Sequence, residues 1–297
     1  MNKNITLIDA DSLCFLGSKE DTLQQIIEKV EYKINMILEE TKADYYVLFV
    51  SKGKYFRHNL KDKTEETGTY KSNRRYISQN YNKVIKEYLI SQHQAVYYLN
   101  AEADDGIIYW MNKKISIHTD EDDILLRGLF YSFTENSSID NVVDPTPHSD
   151  TNLTLASIDK DLLQSIPGKH LNYNKKVAPD VWEMQWIETS KDEAEEFIWK
   201  QMLMGDNSDG VKGIPKVGPV KASAILEDEG EPYQNLVLRE YINYFGMSQG
   251  IYEFQKNYRL LHLLDCDEDW AREVGYIPQL PTFLEVDKEK SIEVNFE

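Results

Sequence analysis

Short apolar runs that lead into clustered acids constrain this chain more than any other feature. ITLIDAD near the start delivers Asp9 and Asp11, a run around residues 95–99 is followed by Glu102, Asp104 and Asp105, and LTLASI (153–158) leads to Asp159 and Asp161. Such runs read as buried parallel strands that present side chains at their carboxyl ends. In an open parallel sheet those ends converge on one crevice, so the three clusters can meet. A fourth pair, Asp206 and Asp209 in LMGDNSDG, can close the crevice from one side.

The elements between these runs fit the same plan. Apolar residues recur with helical spacing over 22–40 (Ile26, Ile27, Val30, Ile34, Ile37, Leu38), and YYVLFV (45–50) reads as the next strand. A helix is expected over 81–91, a strand over 95–99, a helix from about 101, and a strand or hairpin over 177–187. Strands alternating with helices imply an α/β fold with a mostly parallel sheet flanked by helices. After residue 190 the pattern becomes helical, over 191–204, 219–227, 233–245 and 250–264. Residues 52–80 look like an exposed excursion, and 113–150, acidic and aperiodic, like an insertion.

With 297 residues the chain can bury a sizeable core, and no run approaches the length of a membrane span. The N-terminus lacks the basic start and apolar stretch of a secretory signal, so a cytoplasmic protein is expected. Its two cysteines, Cys14 and Cys266, lack CxxC spacing and read as reduced buried thiols. The formal net charge of −18 argues at first against a polyanionic substrate. Yet residues 52–86 carry ten Lys or Arg against three acids, a local excess that could meet phosphates. Of the remaining acids, the runs at 120–123 and 265–269 read as solvated.

So many carboxylates in one crevice would repel and would have to bind protons or cations. With no His or Cys ligand set nearby, they favour hard, oxygen-seeking ions, Mg²⁺ or Mn²⁺, two or more in number. Two such ions about 4 Å apart suit phosphodiester hydrolysis. The bland reading, acids that only cap helices or face water, fits one cluster better than four. In MGDNSDGVKGIPKVGPVKASAIL, from Met204, the glycines and prolines force a tight connection between two helices. Its exposed N–H groups, with Lys212, Gly213, Lys216, Gly218 and Lys221, suit a nucleic-acid phosphate.

In order, LIDAD, YKSNR (70–74), EADD (102–105), IDKD (158–161) and GDNSDGVKGIPKVG (205–218) resemble the bacteriophage and bacterial flap endonuclease and 5′→3′ exonuclease family over residues 5–264. The resemblance implies a PIN-like nuclease core over 1–190, with 52–80 as an arch segment and 113–150 as an acidic insertion. A helix–hairpin–helix-type DNA-binding region over 191–265 and a C-terminal tail over 266–297 would follow. It assigns metal binding to Asp9, Glu102, Asp104, Asp105, Asp159, Asp161, Asp206 and Asp209, and catalysis to Lys71 and Arg74. Tyr70 and Tyr76 would stack on bases, Arg75 would bind DNA, and K⁺ would join the turn at 212–218. The implied substrate is DNA with a single-stranded 5′ tail or flap, or an RNA–DNA hybrid, cut by a monomer in a host bacterial cytoplasm.

One departure is visible. FVSKGKYFR (49–57) places Ser51 and Lys52 where the family carries another metal-binding Asp. Asp11 could compensate if the first strand extends that far; capping the next helix is its simpler role. The competing functions are therefore an active 5′ nuclease, a catalytically weak branched-DNA-binding protein of the same fold, and a PIN-type ribonuclease.

Overall fold

The computed structural model describes residues 3–18, 20–60, 70–71, 81–113, 151–178, 181–227 and 230–287. The 114–150 part of the expected insertion and residues 61–69 and 72–80 of the expected arch lie outside the described residues.

Strand β1 (Lys3–Asp9) is followed by α1 (Leu23–Thr41) and β2 (Tyr45–Phe49), then α2 (Asn82–Gln92) and α3 (Ala103–Lys113). Next come β3 (Thr151–Ala156), α4 (Lys160–Ser165), β4 (Gly168–Ala178) and β5 (Val181–Thr189). The remaining elements are α5 (Lys191–Met204), the short strands β6 (Gly205–Asp206) and β7 (Val211–Lys212), α6 (Pro219–Leu226), α7 (Tyr233–Phe245), α8 (Met247–Leu261), α9 (Asp267–Glu273) and β8 (Leu284–Glu285). The main sheet has the order β5-β4-β3-β1-β2-β8.

The sheet corrects the expected PIN-like, mostly parallel architecture. Its centre is parallel, β1 pairing with β2 and β3, and β3 with β4. Both flanks are antiparallel, β5 on β4 and β8 on β2, which makes the sheet mixed. Only two residues separate β4 from β5, far too few for a crossover, so those strands must run opposite ways. The strand expected over 95–99 contributes only an isolated bridge between Val96 and Phe49.

Alternation along β1 decides what reaches the site. Ile8 packs with Val30, Ile34, Ile37, Ile85 and Leu89 on the α1/α2 face, whereas Ile5 and Leu7 pack with Ile107 and Leu162 on the α3/α4 face. Asp9 has the parity of Ile5 and Leu7, so it emerges where α3 begins. Residues 266–287, the described part of the segment read as a tail, contribute to the same core. Trp270 is fully buried against Tyr98 and Tyr109, and β8 pairs with β2. Helices α5 to α8 form a separate cluster around Met202, Leu203, Ile214, Ala222, Val237, Tyr241 and Phe254.

Candidate active site

Asp9 ends the central strand and is buried. Its Oδ2 accepts a hydrogen bond from Ser157 Oγ at 2.8 Å, and its Oδ1 one from the Asp11 amide at 3.2 Å. Burial, with repulsion from Asp11 and Asp159, raises its carboxyl to about 7. Asp104, in the first turn of α3, is held well above the usual carboxylate range by burial and by Asp9 and Asp159. Asp159 caps α4, accepting from the Asp161 amide at 2.8 Å. Burial and Asp159 raise Asp161 to about 7, with Asp206 and Asp209 adding to the repulsion. The sheet ends, the first turns of α3 and α4 and the β6/β7 turn thus bring Asp9, Asp104, Asp159, Asp161, Asp206 and Asp209 into one continuous set of neighbours. Glu102 adjoins Asp104, and Asp105 shares a cation with Glu102.

Not all of these acids are equally free. Both Asp105 oxygens are taken at 2.7 Å by the guanidinium of Arg57, and they also accept the Glu102 and Leu264 amides, each at 3.0 Å. Arg57 is 1% exposed, and it reaches Glu102 at 3.2 Å and the His262 carbonyl at 2.7 Å. Sequence reading counted it with the exposed basic residues; the buried Phe56 beside it was the one hint of burial. Asp206 lies on the other side of the set. Burial opposes its ionisation, but Ser208 and Lys160 overcome that and bring it to about 2. Lys160 Nζ stands 3.0 Å from Asp206 and 3.6 Å from Asp161, and Gln201 bridges the same two carboxylates. Lys160 and Gln201 were not anticipated as site residues.

Lys71 lies between the two halves of the set. Its ammonium contacts Glu102 and lies 3.9 Å from Asp209, and its own amide donates to the Asp209 carbonyl at 2.8 Å. Its positive φ of 57° turns the chain inward at this point. Tyr70, expected to stack on bases, donates its hydroxyl to Glu102 at 2.7 Å. Arg74, Arg75 and Tyr76 lie outside the described residues.

Ser51 is also accounted for. Its Oγ accepts the amide of Ala103, the first residue of α3, at 2.9 Å, while its own amide donates to Asp11 at 2.9 Å. Lys86 clamps the corner, 2.8 Å from Asp11 and 2.6 Å from the Ser51 carbonyl. Asp11 stands at the N-cap position of the 3₁₀ turn Ser12–Phe15 but makes no side-chain cap there. Its carboxylate organises the Ser51 corner instead.

The glycine-rich turn is built on backbone contact. A Cβ on Gly205 would lie 2.3 Å from the Gly213 amide nitrogen, and one on Gly213 would lie 2.3 Å from the Gly205 nitrogen. Here the β6/β7 ladder brings two backbones together in a way only glycine allows. Lys212, Lys216, Gly218 and Lys221 are exposed around the open N-terminus of α6, and Val220 at the tip is 86% exposed. This surface offers amide donors and ammonium groups to a phosphate.

No family model and no curated protein matches this chain. Solved structures do, and they show that it shares the fold of the T5 5′-exonuclease. One of them is the bacteriophage T5 D15 protein co-crystallised with metal ions, aligned over 92% of this chain and 94% of that one at 17% identity, with a TM-score of 0.56. The T5 D15 flap endonuclease in a pseudo-enzyme–product complex with DNA and metal ions, and the T5 5′-exonuclease with bound zinc, align equally well. The likeness corrects the PIN-like assignment: the mixed sheet is that of the 5′-nuclease fold.

Proposed function

We propose that this chain is a divalent-metal-dependent, structure-selective 5′ nuclease that hydrolyses DNA phosphodiesters near flaps and 5′ ends. The observation that carries the proposal is the run of neighbouring acids from Asp9 through Asp104 and Asp159 to Asp161, where burial and mutual repulsion hold carboxyls above their ordinary range. A protein keeps such repulsion where cations are to be bound, and an all-oxygen donor set fits Mg²⁺ or Mn²⁺. Asp9, Glu102, Asp104 and Asp159 would hold one ion, and Asp161, Asp206 and Asp209 another. Asp105, saturated by Arg57, serves to hold Glu102 and α3.

Bound divalent ions would supply polarisation of a water and neutralisation of phosphate charge. The chain's own groups do the rest. Lys71, between Glu102 and Asp209, places an ammonium where negative charge develops on phosphorus-bound oxygens. The attacking water forms the new P–O bond as the bond to the 3′ oxygen breaks, leaving a 5′-phosphate and a 3′-hydroxyl. The turn at 205–221 grips duplex backbone without reading bases, so selection is by DNA structure. The same reading adds K⁺ at the carbonyls of the 212–218 turn, with residues 1–190 as the catalytic core and 191–265 as the DNA grip. RNA–DNA hybrids are a second substrate for a backbone grip of this kind. A monomer working in a bacterial host's cytoplasm completes the proposal.

The test is cleavage of a 5′-end-labelled flap DNA with Mg²⁺ or Mn²⁺, with EDTA and Asp104→Ala as controls. Metal-dependent cutting near the junction that disappears in Asp104→Ala is expected. Tight, structure-selective binding without cutting in either metal would overturn the enzyme and leave a branched-DNA-binding protein.

A further inference from the structure

Outside the strand-end site, His262, Asp265 and Asp269 bring one imidazole nitrogen and two carboxylate oxygens within 4.8 Å of one another. Sequence reading took residues 265–269 as a solvated run, yet Asp269 is only 8% exposed and the His262 side chain 18%. The spacing is set by the fold: His262 follows the last turn of α8, Asp265 lies in the connection, and Asp269 belongs to α9.

His262 Nδ1 and Asp269 Oδ2 are 3.6 Å apart, too far for a hydrogen bond. That separation is close to the ~3.4 Å expected between two donors bound at about 2.1 Å on a tetrahedral ion. Among the described residues neither ring nitrogen of His262 makes a hydrogen bond, and its ring is held by stacking on Tyr258 at 4.6 Å. Arg272 donates to Oδ1 of Asp269 and is shared with Glu273 at 3.1 Å. The Cys266 thiol lies beside both carboxylates, adding a soft donor.

We infer that His262, Asp265 and Asp269 form a second, structural site for a borderline divalent cation such as Zn²⁺, separate from the strand-end carboxylates. Imidazole with carboxylates selects such an ion over Mg²⁺, which prefers oxygen alone. An ion here fixes the joint between α8 and α9. That joint supports the active site directly, because the His262 carbonyl accepts from Arg57 and the Leu264 amide donates to Asp105. The inference does not depend on the proposed nuclease activity.

Calorimetric titration of the full chain with Zn²⁺ tests it, comparing wild type with His262→Ala, Asp265→Asn and Asp104→Ala. The wild type should bind one equivalent more than His262→Ala or Asp265→Asn, and Asp104→Ala should retain that equivalent. Zinc should also raise the melting temperature of wild type, with this rise reduced in His262→Ala. Zinc-edge anomalous diffraction covers the case in which a variant does not fold, and should place an ion on His262 Nδ1. Unchanged stoichiometry in Asp265→Asn, or zinc-soaked crystals with no anomalous peak at His262, would overturn the site.

Discussion

Asp104 and Asp105 are consecutive residues in the first turn of one helix, and the fold treats them in opposite ways. Asp105 is wholly buried, with both oxygens filled by Arg57 and two backbone amides. Asp104 faces Asp9 and Asp159, and burial and their charge hold its carboxyl well above the usual carboxylate range. A residue whose charge is balanced by the protein is part of the architecture, and one whose charge is left unbalanced awaits something the protein does not supply. The same contrast recurs at the second half of the site, where Asp206 is balanced by Ser208 and Lys160 and Asp161 is not.

The largest expected effect comes from breaking the balanced side. Arg57→Met leaves Asp105 as an unpaired buried acid and should cost about 3–5 kcal/mol of folding free energy. Equilibrium urea unfolding measures it, and a loss below about 1 kcal/mol would remove the distinction between the two aspartates. On the unbalanced side the effect should move from stability to activity. Asp104→Asn removes a repulsive carboxyl, so its unfolding midpoint should equal or exceed that of wild type. Flap cleavage should fall by roughly 10²–10³-fold, the scale on which transition-state charge stabilisation is lost. A variant that unfolds as readily as Arg57→Met would place Asp104 with the architecture.

Acidity sharpens the comparison further. Asp9 and Asp161 bind protons more tightly in the folded chain, with values of about 7 against an ordinary 3.8. Between those values the folded state holds the excess protons, so stability is fully present below about 3.8 and declines as pH rises through 7. Asp206, lowered to about 2, acts with the opposite sign: its contribution is present above 3.8 and lost as pH falls toward 2. The metal-free protein should therefore melt at a lower temperature at pH 8 than at pH 5. Because cations compete with these protons, Mn²⁺ should raise the melting temperature more at pH 8 than at pH 5. A metal-induced rise that is equal at the two pH values would contradict the assignment of these acids as unbalanced.

What could be read from sequence follows the same division. Acids at the ends of apolar runs were visible because strand periodicity and the geometry of sheet edges are local, and this was enough to group Asp9, Asp104, Asp159 and Asp206. Nothing local separates Asp104 from Asp105, since the difference is made by Arg57, nearly fifty residues away in a segment that reads as a basic loop. Strand β4 was missed because HLNYNKKVA has little alternation, and its partner β5 supplies most of its pairing. The run at 95–99 looked like a strand but has room for only one bridge beside Phe49, because its neighbours complete that edge differently. The His262, Asp265 and Asp269 cluster was hidden because charge density in sequence says nothing about burial.

The smallest expected effect concerns Ser51, which joins the two sides. Its Oγ caps α3 through the Ala103 amide, the helix that carries both Asp104 and Asp105, while Asp11 and Lys86 fix its backbone. Ser51→Ala removes one cap and should cost about 1 kcal/mol. Because α3 also orients Asp104, the same variant should weaken the Mn²⁺ dependence of cleavage more than it weakens DNA binding. Ser51→Asp separates the two contributions: its carboxylate can still accept the Ala103 amide, and it adds a charge beside Asp11. Restored stability together with tighter Mn²⁺ binding, read by calorimetry, is expected if Ser51 marks a missing ligand. Restored stability with unchanged metal affinity would make the position a helix cap alone and leave the metal centre complete without it.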